Sequence, residues 1–233
     1  MLIKISMPKA VIALSIILAG VFLNGRLFAS EVAQETIIYN ISPVGQSEYQ
    51  DFGLVDYGGR KVNLVVFKTQ AVGFKDTEKI YSSPDDYLPL RVERDVSMWL
   101  HQEYITEEYF PLENRMSITK FEGGRKTEEH FYKADRPINN AILIPFSLRK
   151  IPDLKIGWTY DIRLPAEFKV KLAGIEDVTV PAGKFKAYHF TSTPPKFEIW
   201  ISYDRLKIPV KIKGLGAFSY TMAMKKHILK KER

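Results

Sequence analysis

The side chains that most often bind metals or attack substrates are few in this chain and lie far apart. The 233 residues include no cysteine, which excludes a thiol nucleophile, a disulfide framework and a cysteine-based metal site. The four histidines are His101, His130, His189 and His227. No two of them have the one-turn spacing of helical zinc motifs. The sequence therefore predicts no metal centre.

Catalytic motifs are also missing from the sequence. It contains no G-x-S-x-G nucleophile elbow, no phosphate-binding loop and no dinucleotide fingerprint. A pair of carboxylates could hydrolyse a glycosidic bond, but only at a specific separation in space. The candidates are Asp85, Asp86, Glu93 and Asp204, among 27 acidic residues. We predict a protein that is not an enzyme and needs no cofactor, and a hydrolase with a carboxylate site is the less favoured alternative.

The N-terminus has the organisation of a secretory signal peptide. Two lysines precede an uncharged run at residues 10–23, and the small residues Ala29 and Ser30 follow a polar break that ends at Arg26. The run is shorter than the roughly 20 apolar residues of a spanning helix. We expect residues 1–30 to be a signal peptide, and the protein to be periplasmic. A retained N-terminal membrane anchor is the alternative.

The remaining residues, 31–233, are enough for a single exported domain with a sizeable core. The net charge of +7 falls to +4 in this part, because the leader holds three of the 34 basic residues and none of the 27 acidic ones. Such a mixed surface does not indicate nucleic-acid binding. Four lysines near the C-terminus could contact an anionic membrane surface. They are Lys225, Lys226, Lys230 and Lys231.

Apolar and polar residues alternate through most of residues 31–233. Examples are FKVKL at 168–172, FEIWISYD at 197–204 and LKIPVKIK at 206–213. This period of two is typical of antiparallel strands that are buried on one face. Pro209 removes a ladder donor, so its strand should be an edge strand or contain a bulge.

Turn signals separate these strands at matching intervals. The pair Gly123-Gly124 predicts a hairpin within 115–133, and Pro181–Gly183 predicts another. Residues 99–110 fit either a helix or a strand. Residues 139–151 could form a short helix after an asparagine cap, with its proline in the first turn.

Together these patterns predict an all-β fold with one curved antiparallel sheet of about ten strands. The sheet would be a half-barrel or barrel-like, with at most one or two short helices. If its concave face is open, an apolar ligand could bind there. The candidate ligand contacts are Phe168, Val170, Leu172, Phe197, Ile199, Ile201 and, on the opposite face, Trp200. Alternatively, Trp200 covers lysine side chains with its N–H in water.

Four segments in order resemble the bacterial exported proteins grouped as domain of unknown function 3108. They are DTEKIYSSPDDYLP from Asp76, FSLRKIPDLKIG from Phe146, EDVTVPAGKF from Glu176 and WISYDRLKIPVKI from Trp200. The resemblance implies an envelope protein with a curved sheet, similar in form to lipoprotein-carrier half-barrels that shelter acyl chains. It implies no catalytic residues. Residues 99–110 look longer than the corresponding family segment.

Two non-enzymatic functions remain open at this level. The first is a cell-envelope protein that binds a lipid-like or other apolar ligand in the curved sheet. The second is a structural or protein-interaction module of the envelope, in which the same apolar face is a filled core. They differ in whether the concave face contains a cavity.

Overall fold

The computed structural model describes residues 34–216 and 219–230, which form fourteen β-strands in one antiparallel sheet. The predicted signal peptide, residues 1–30, lies outside this part of the chain. The first eight strands are β1 (Glu35–Ser42), β2 (Gln46–Tyr57), β3 (Arg60–Ala71), β4 (Phe74–Ser82), β5 (Pro89–Met98), β6 (His101–Phe110), β7 (Arg115–Glu122) and β8 (Arg125–Lys133). The other six are β9 (Thr159–Leu164), β10 (Ala166–Val180), β11 (Gly183–Thr193), β12 (Phe197–Ser202), β13 (Pro209–Gly214) and β14 (Tyr220–Leu229).

The strand order consists of two meanders joined in the middle. Strands β1 to β8 follow one another outwards, and β9 to β14 return inwards until β14 pairs with β1. In the described part of the chain the outer sides of β8 and β9 have no strand partner, so the sheet is not closed. The predicted all-β class is confirmed, with more strands than the ten expected.

One connection runs from β8 to β9, the two edges of the sheet. It contains a 3-10 turn at Ala141–Leu143 and the six-residue helix α1 at Ile144–Arg149. The Asn140 side chain caps the turn by accepting a hydrogen bond from the Ile142 N–H at 2.9 Å. Pro145 lies in the first turn of α1, where its missing N–H leaves no bond unmade. The short helix is thus where the sequence predicted it, and residues 101–110 are strand rather than helix.

The contacts of α1 show how strongly the sheet curves. Phe146 stacks on Tyr49 of β2, while Ile144 and Leu148 pack in one buried cluster with Val170 of β10. Strands β2 and β10 are six neighbours apart in the sheet, or about 29 Å if it were flat. A helix of this length spans only about 9 Å. The sheet must therefore bend around α1, and we call the face that packs on α1 the inner face.

Two turns behave as their sequences predicted. Gly123 and Gly124 both have positive φ and join β7 to β8. Val180 pairs with Gly183 across the turn from β10 to β11, and Gly183 has a φ of +136°. Pro209 begins β13, which lies between β12 and β14, and the register shifts where it pairs with Ile201. Of the two predictions for Pro209, the structure shows the bulge.

In the described residues no helix is both long enough and apolar enough to cross a membrane.

Candidate functional site: an apolar cavity beneath helix α1

A cavity of about 610 Å³ lies between α1 and the inner face of the sheet. Both meanders contribute to its walls, as do the 3-10 turn and the first half of α1. Most of the lining is apolar, including Phe67, Ile142, Phe146, Phe197, Ile199 and Met222. The volume falls within the range of about 300–1,000 Å³ that is usual for small-molecule sites.

Two tyrosines give one wall of the cavity a polar component. Tyr39 donates a hydrogen bond from its hydroxyl to the Pro209 carbonyl at 2.8 Å. The ring of Tyr49 stacks on Phe146, with the centroids 3.7 Å apart and the planes 10° from parallel. Its hydroxyl is buried without a hydrogen-bond partner among the described residues. Burial raises the pKa of Tyr49 well above its ordinary value, so this hydroxyl stays protonated and can donate a hydrogen bond to a ligand.

Another wall is charged. Asp76 and Glu78 on β4 face Arg94 on the neighbouring strand β5, and all three line the cavity. Arg94 donates to Asp76 through Nη2 at 2.6 Å and through Nε at 3.0 Å. Its Nε also lies 3.5 Å from Glu78 Oε1. This guanidinium is thus shared between two carboxylates that are almost entirely buried.

Burial changes the protonation of this group. Desolvation raises the pKa of Glu78 to about 7, against the smaller opposing effect of Arg94. The neighbouring Glu107 also has a raised pKa because of burial, although its hydrogen bond from Tyr109 lowers it in part. The hydrogen bond to Asp76 raises the pKa of Arg94, which stays charged. Three carboxylates therefore surround one cation.

Local alternation explains why the acids point inwards. In the β4 sequence FKDTEKIYS, Asp76 and Glu78 have the same parity as Ile80, which is fully buried in the core. Sequence reasoning did not select Asp76, Glu78 or Arg94 as site residues. The available signal was two acids at core-facing positions of an otherwise regular strand.

The apolar residues predicted as ligand contacts do not line one common cavity. Phe197 and Ile199 line the cavity. Val170 lines a smaller cavity of about 260 Å³, beside Leu148 of α1. Leu172 and Ile201 are completely buried in a packed cluster, and the Phe168 ring lies 6.0 Å from that of Phe197. Their contact with a ligand stays a prediction.

Trp200 is buried and contacts other side chains of the protein. It is 4% exposed and is not part of the cavity lining. Its ring stacks on His189 with the centroids 4.4 Å apart, and Lys211 Nζ lies 4.7 Å from the ring centre. The indole N–H donates to Glu176 Oε1 at 2.6 Å rather than to water. The ring thus packs beside lysine, and contact between Trp200 and a ligand stays a prediction.

The carboxylates considered for hydrolysis mostly organise loops. Asp204 Oδ1 accepts hydrogen bonds from the Leu206 and Lys207 N–H groups, and Asp86 Oδ1 accepts one from the Leu88 N–H. Glu93 accepts a hydrogen bond from Arg91 at 3.0 Å. In the described residues, no group of three histidine, aspartate or glutamate side chains could hold a metal ion.

The fold itself resembles that of a solved protein. A crystal structure described as a beta-barrel-like protein of domain of unknown function DUF1849 from Brucella abortus matches with a TM-score of 0.53. The match covers 86% of this chain and 99% of the other, at 9% sequence identity. At this identity the likeness shows the class of fold alone, a β-barrel-like sheet.

No family model matches the sequence, and no curated protein matches it either. The particular family suggested by the sequence, domain of unknown function 3108, therefore gains no support beyond this class of fold.

Proposed function

We propose that this protein is a non-enzymatic binding protein of the cell envelope that holds a lipid-like ligand in the cavity beneath α1. The cavity itself is the observation that supports this proposal. A structural module with a filled core would place side chains in that space, as the Leu172 and Ile201 cluster does nearby. Export rests on residues 1–30 and belongs to the same proposal.

The walls favour an amphiphile whose head group is neutral or cationic. An alkyl chain would contact the apolar lining, and its head group would contact the wall formed by Asp76, Glu78 and Arg94. Because Arg94 is already bonded to Asp76, a carboxylate head group would meet two acids and only a shared guanidinium. An amine would instead supply the positive charge that this wall lacks.

Native mass spectrometry of the full chain with dodecylamine, dodecanol and dodecanoic acid tests both statements. We expect dodecylamine and dodecanol to bind in a one-to-one complex and dodecanoic acid to bind more weakly. Binding of none of the three would contradict the lipid-binding proposal and favour the structural module. Preferred binding of dodecanoic acid would contradict only the head-group preference.

A variant that fills the cavity tests whether the ligand binds at this site. Thr69 lines the cavity and is half-buried, whereas the next residue, Gln70, is exposed on the other face of β3. Thr69→Trp should weaken binding by about tenfold or more, because the ligand and the indole compete for one space. Gln70→Trp is the matched control and should bind like the wild type. Ala71→Trp also replaces a lining residue of the same cavity and provides a second test should Thr69→Trp not fold.

A further inference from the structure

One end of the sheet carries a set of exposed apolar side chains. The turns from β1 to β2, from β3 to β4 and from β5 to β6 all lie at this end, because the strands are consecutive and antiparallel. Their apolar side chains are Val44 (62% exposed), Val72 (78%), Trp99 (77%) and Leu100 (105%). We call these four residues the apolar tips. Isolated exposed apolar residues are common, but four on three neighbouring turns form a patch that needs an explanation.

The cavity reaches the surface at the same end. Its lining includes Val44 from the first of these turns, Ala71 at the end of β3, and Lys196 and Leu215 from the loops that follow β11 and β13. Those loops lie at this end as well, since β14 pairs antiparallel with β1 and Ser42 faces Thr221. The apolar tips therefore lie beside the opening of the cavity.

Trp99 is held in its exposed position by the neighbouring turn. Its backbone has a φ of +55°, in the left-handed region that side chains other than glycine rarely adopt. The Trp99 N–H donates to the Gly73 carbonyl at 2.8 Å, and a Cβ added at Gly73 would lie 2.7 Å from the indole. Such an unfavourable conformation persists only where the surroundings maintain it, and it often marks a functional position.

The opposite end of the sheet has a different character. Its turns carry charged side chains of both signs, such as Asp56 and Arg60 on either side of the turn from β2 to β3, and Asp204 and Arg205 after β12, together with single exposed leucines such as Leu112 and Leu206. At the end with the apolar tips, Met98, Trp99 and Leu100 are consecutive, and Lys75 and Lys196 are exposed nearby. The end with the apolar tips therefore combines consecutive exposed apolar side chains with exposed lysines.

We propose that the apolar tips insert into the interface of a lipid bilayer and orient the cavity opening towards it. Tryptophan is enriched at the level of lipid head groups, and exposed lysines interact favourably with anionic lipids. A protein partner fits this end less well, because an ordinary protein interface needs about 800 Å² on each side and the tips project from separate turns. The proposal goes beyond the cavity ligand and would hold whichever amphiphile the cavity accepts.

Quenching of tryptophan fluorescence by brominated phospholipid tests this contact in the full chain. All three tryptophans, Trp99, Trp158 and Trp200, lie after residue 98, so an apolar N-terminal segment that entered the bilayer would not itself produce a signal. Vesicles of phosphatidylcholine with phosphatidylglycerol, one acyl chain brominated, should quench the wild type. The quenched component should disappear in Trp99→Phe, because Trp200 is buried and Trp158 is half-buried.

A charge placed among the tips should prevent insertion. Leu100→Asp should raise the lipid concentration needed for half-maximal quenching of Trp99 by about tenfold or more. The substitution removes a leucine from the bilayer and adds a charge. Leu112→Asp is the matched control, since Leu112 is just as exposed, at 101%, but lies in the turn after β6 at the opposite end. It should leave quenching unchanged. Absence of Trp99 quenching in the wild type, or equal loss in both aspartate variants, would overturn the proposal.

Discussion

Glu78 is a nearly buried carboxylate whose pKa is raised to about 7 by desolvation. Its side chain is 12% exposed, and the nearby cation, Arg94, is already engaged by Asp76. The buried charge of Glu78 is therefore only partly compensated, and protonation relieves the desolvation cost. Glu78 also lies in the charged wall of the cavity, so ligand chemistry and protein stability are linked at this position.

The raised pKa of Glu78 predicts how stability depends on pH. With a pKa of about 7 in the folded state and 4.5 when unfolded, the folded protein binds more protons between these values. Glu78 therefore lowers the free energy of unfolding as pH rises from about 4.5 to 7, by up to about 3 kcal/mol. Glu78→Gln should reduce this decline and be more stable than the wild type at pH 8. Urea unfolding at several pH values measures it.

Controls separate Glu78 from other groups. Asp51 and Glu107 also have pKa values raised by burial, so part of the decline should remain in Glu78→Gln. Burial alone would raise the pKa of Glu35, but its hydrogen bonds from His227 and Arg149 lower it, and the net pKa is below its ordinary value. Glu35 therefore changes the stability with pH in the opposite direction to Glu78. The exposed Glu167 provides a matched Glu→Gln control that should keep the wild-type profile. A decline unchanged in Glu78→Gln would contradict the prediction.

At the scale of elements, α1 forms one wall of the cavity and also carries part of the core. Phe146 is 3% exposed and contacts Tyr49 and Tyr87 through its ring. Arg149, at the other end of α1, bonds to Glu35 on β1 through Nη1 at 2.7 Å. The helix is thus attached to the first meander by stacking and by an ion pair.

Truncation of Phe146 should therefore be costly. Phe146→Ala removes the stacking on Tyr49 and enlarges the cavity, and we expect a loss of about 3–5 kcal/mol in the free energy of unfolding. Phe131→Ala is the matched control, because Phe131 is 70% exposed on the edge strand β8 and should change stability by less than about 0.5 kcal/mol. Guanidinium unfolding compares them, and equal effects of the two would show that α1 does not support the core.

Local signals in the sequence were sufficient for most elements but not for their assembly. The Gly123-Gly124 hairpin, the Pro181–Gly183 turn and the capped helix after Asn140 each depend on neighbouring residues and were predicted. Residues 99–110 were ambiguous because they contain good helix formers as well as β-branched and aromatic residues. Residues 101–110 form a strand because they pair with β5 on one side and β7 on the other, and this pairing overrides the local helix propensity.

For the whole molecule, the critical contact joins the first strand to the last. Pairing of β1 with β14 brings the two meanders into one sheet, and the connection through α1 links their far edges. The sequence separation of these strands is nearly the length of the domain, so no local pattern could predict the cavity that they enclose. Asp76 and Arg94 lie on neighbouring strands, but their place in a cavity wall depends on the distant strands that form the other walls.

A ligand that occupies this central cavity should stabilise the whole sheet, because its walls come from both meanders. At a free concentration of about one hundred times Kd, binding adds about 2.7 kcal/mol to the free energy of unfolding. For a domain of this size we expect Tm to rise by about 5–10 °C in differential scanning calorimetry with dodecylamine. Gln70→Trp should show the same rise, whereas Thr69→Trp, with its affinity weakened about tenfold or more, should show about half of it or less. A full rise in Thr69→Trp would mean that the amphiphile stabilises the protein from a site outside the cavity.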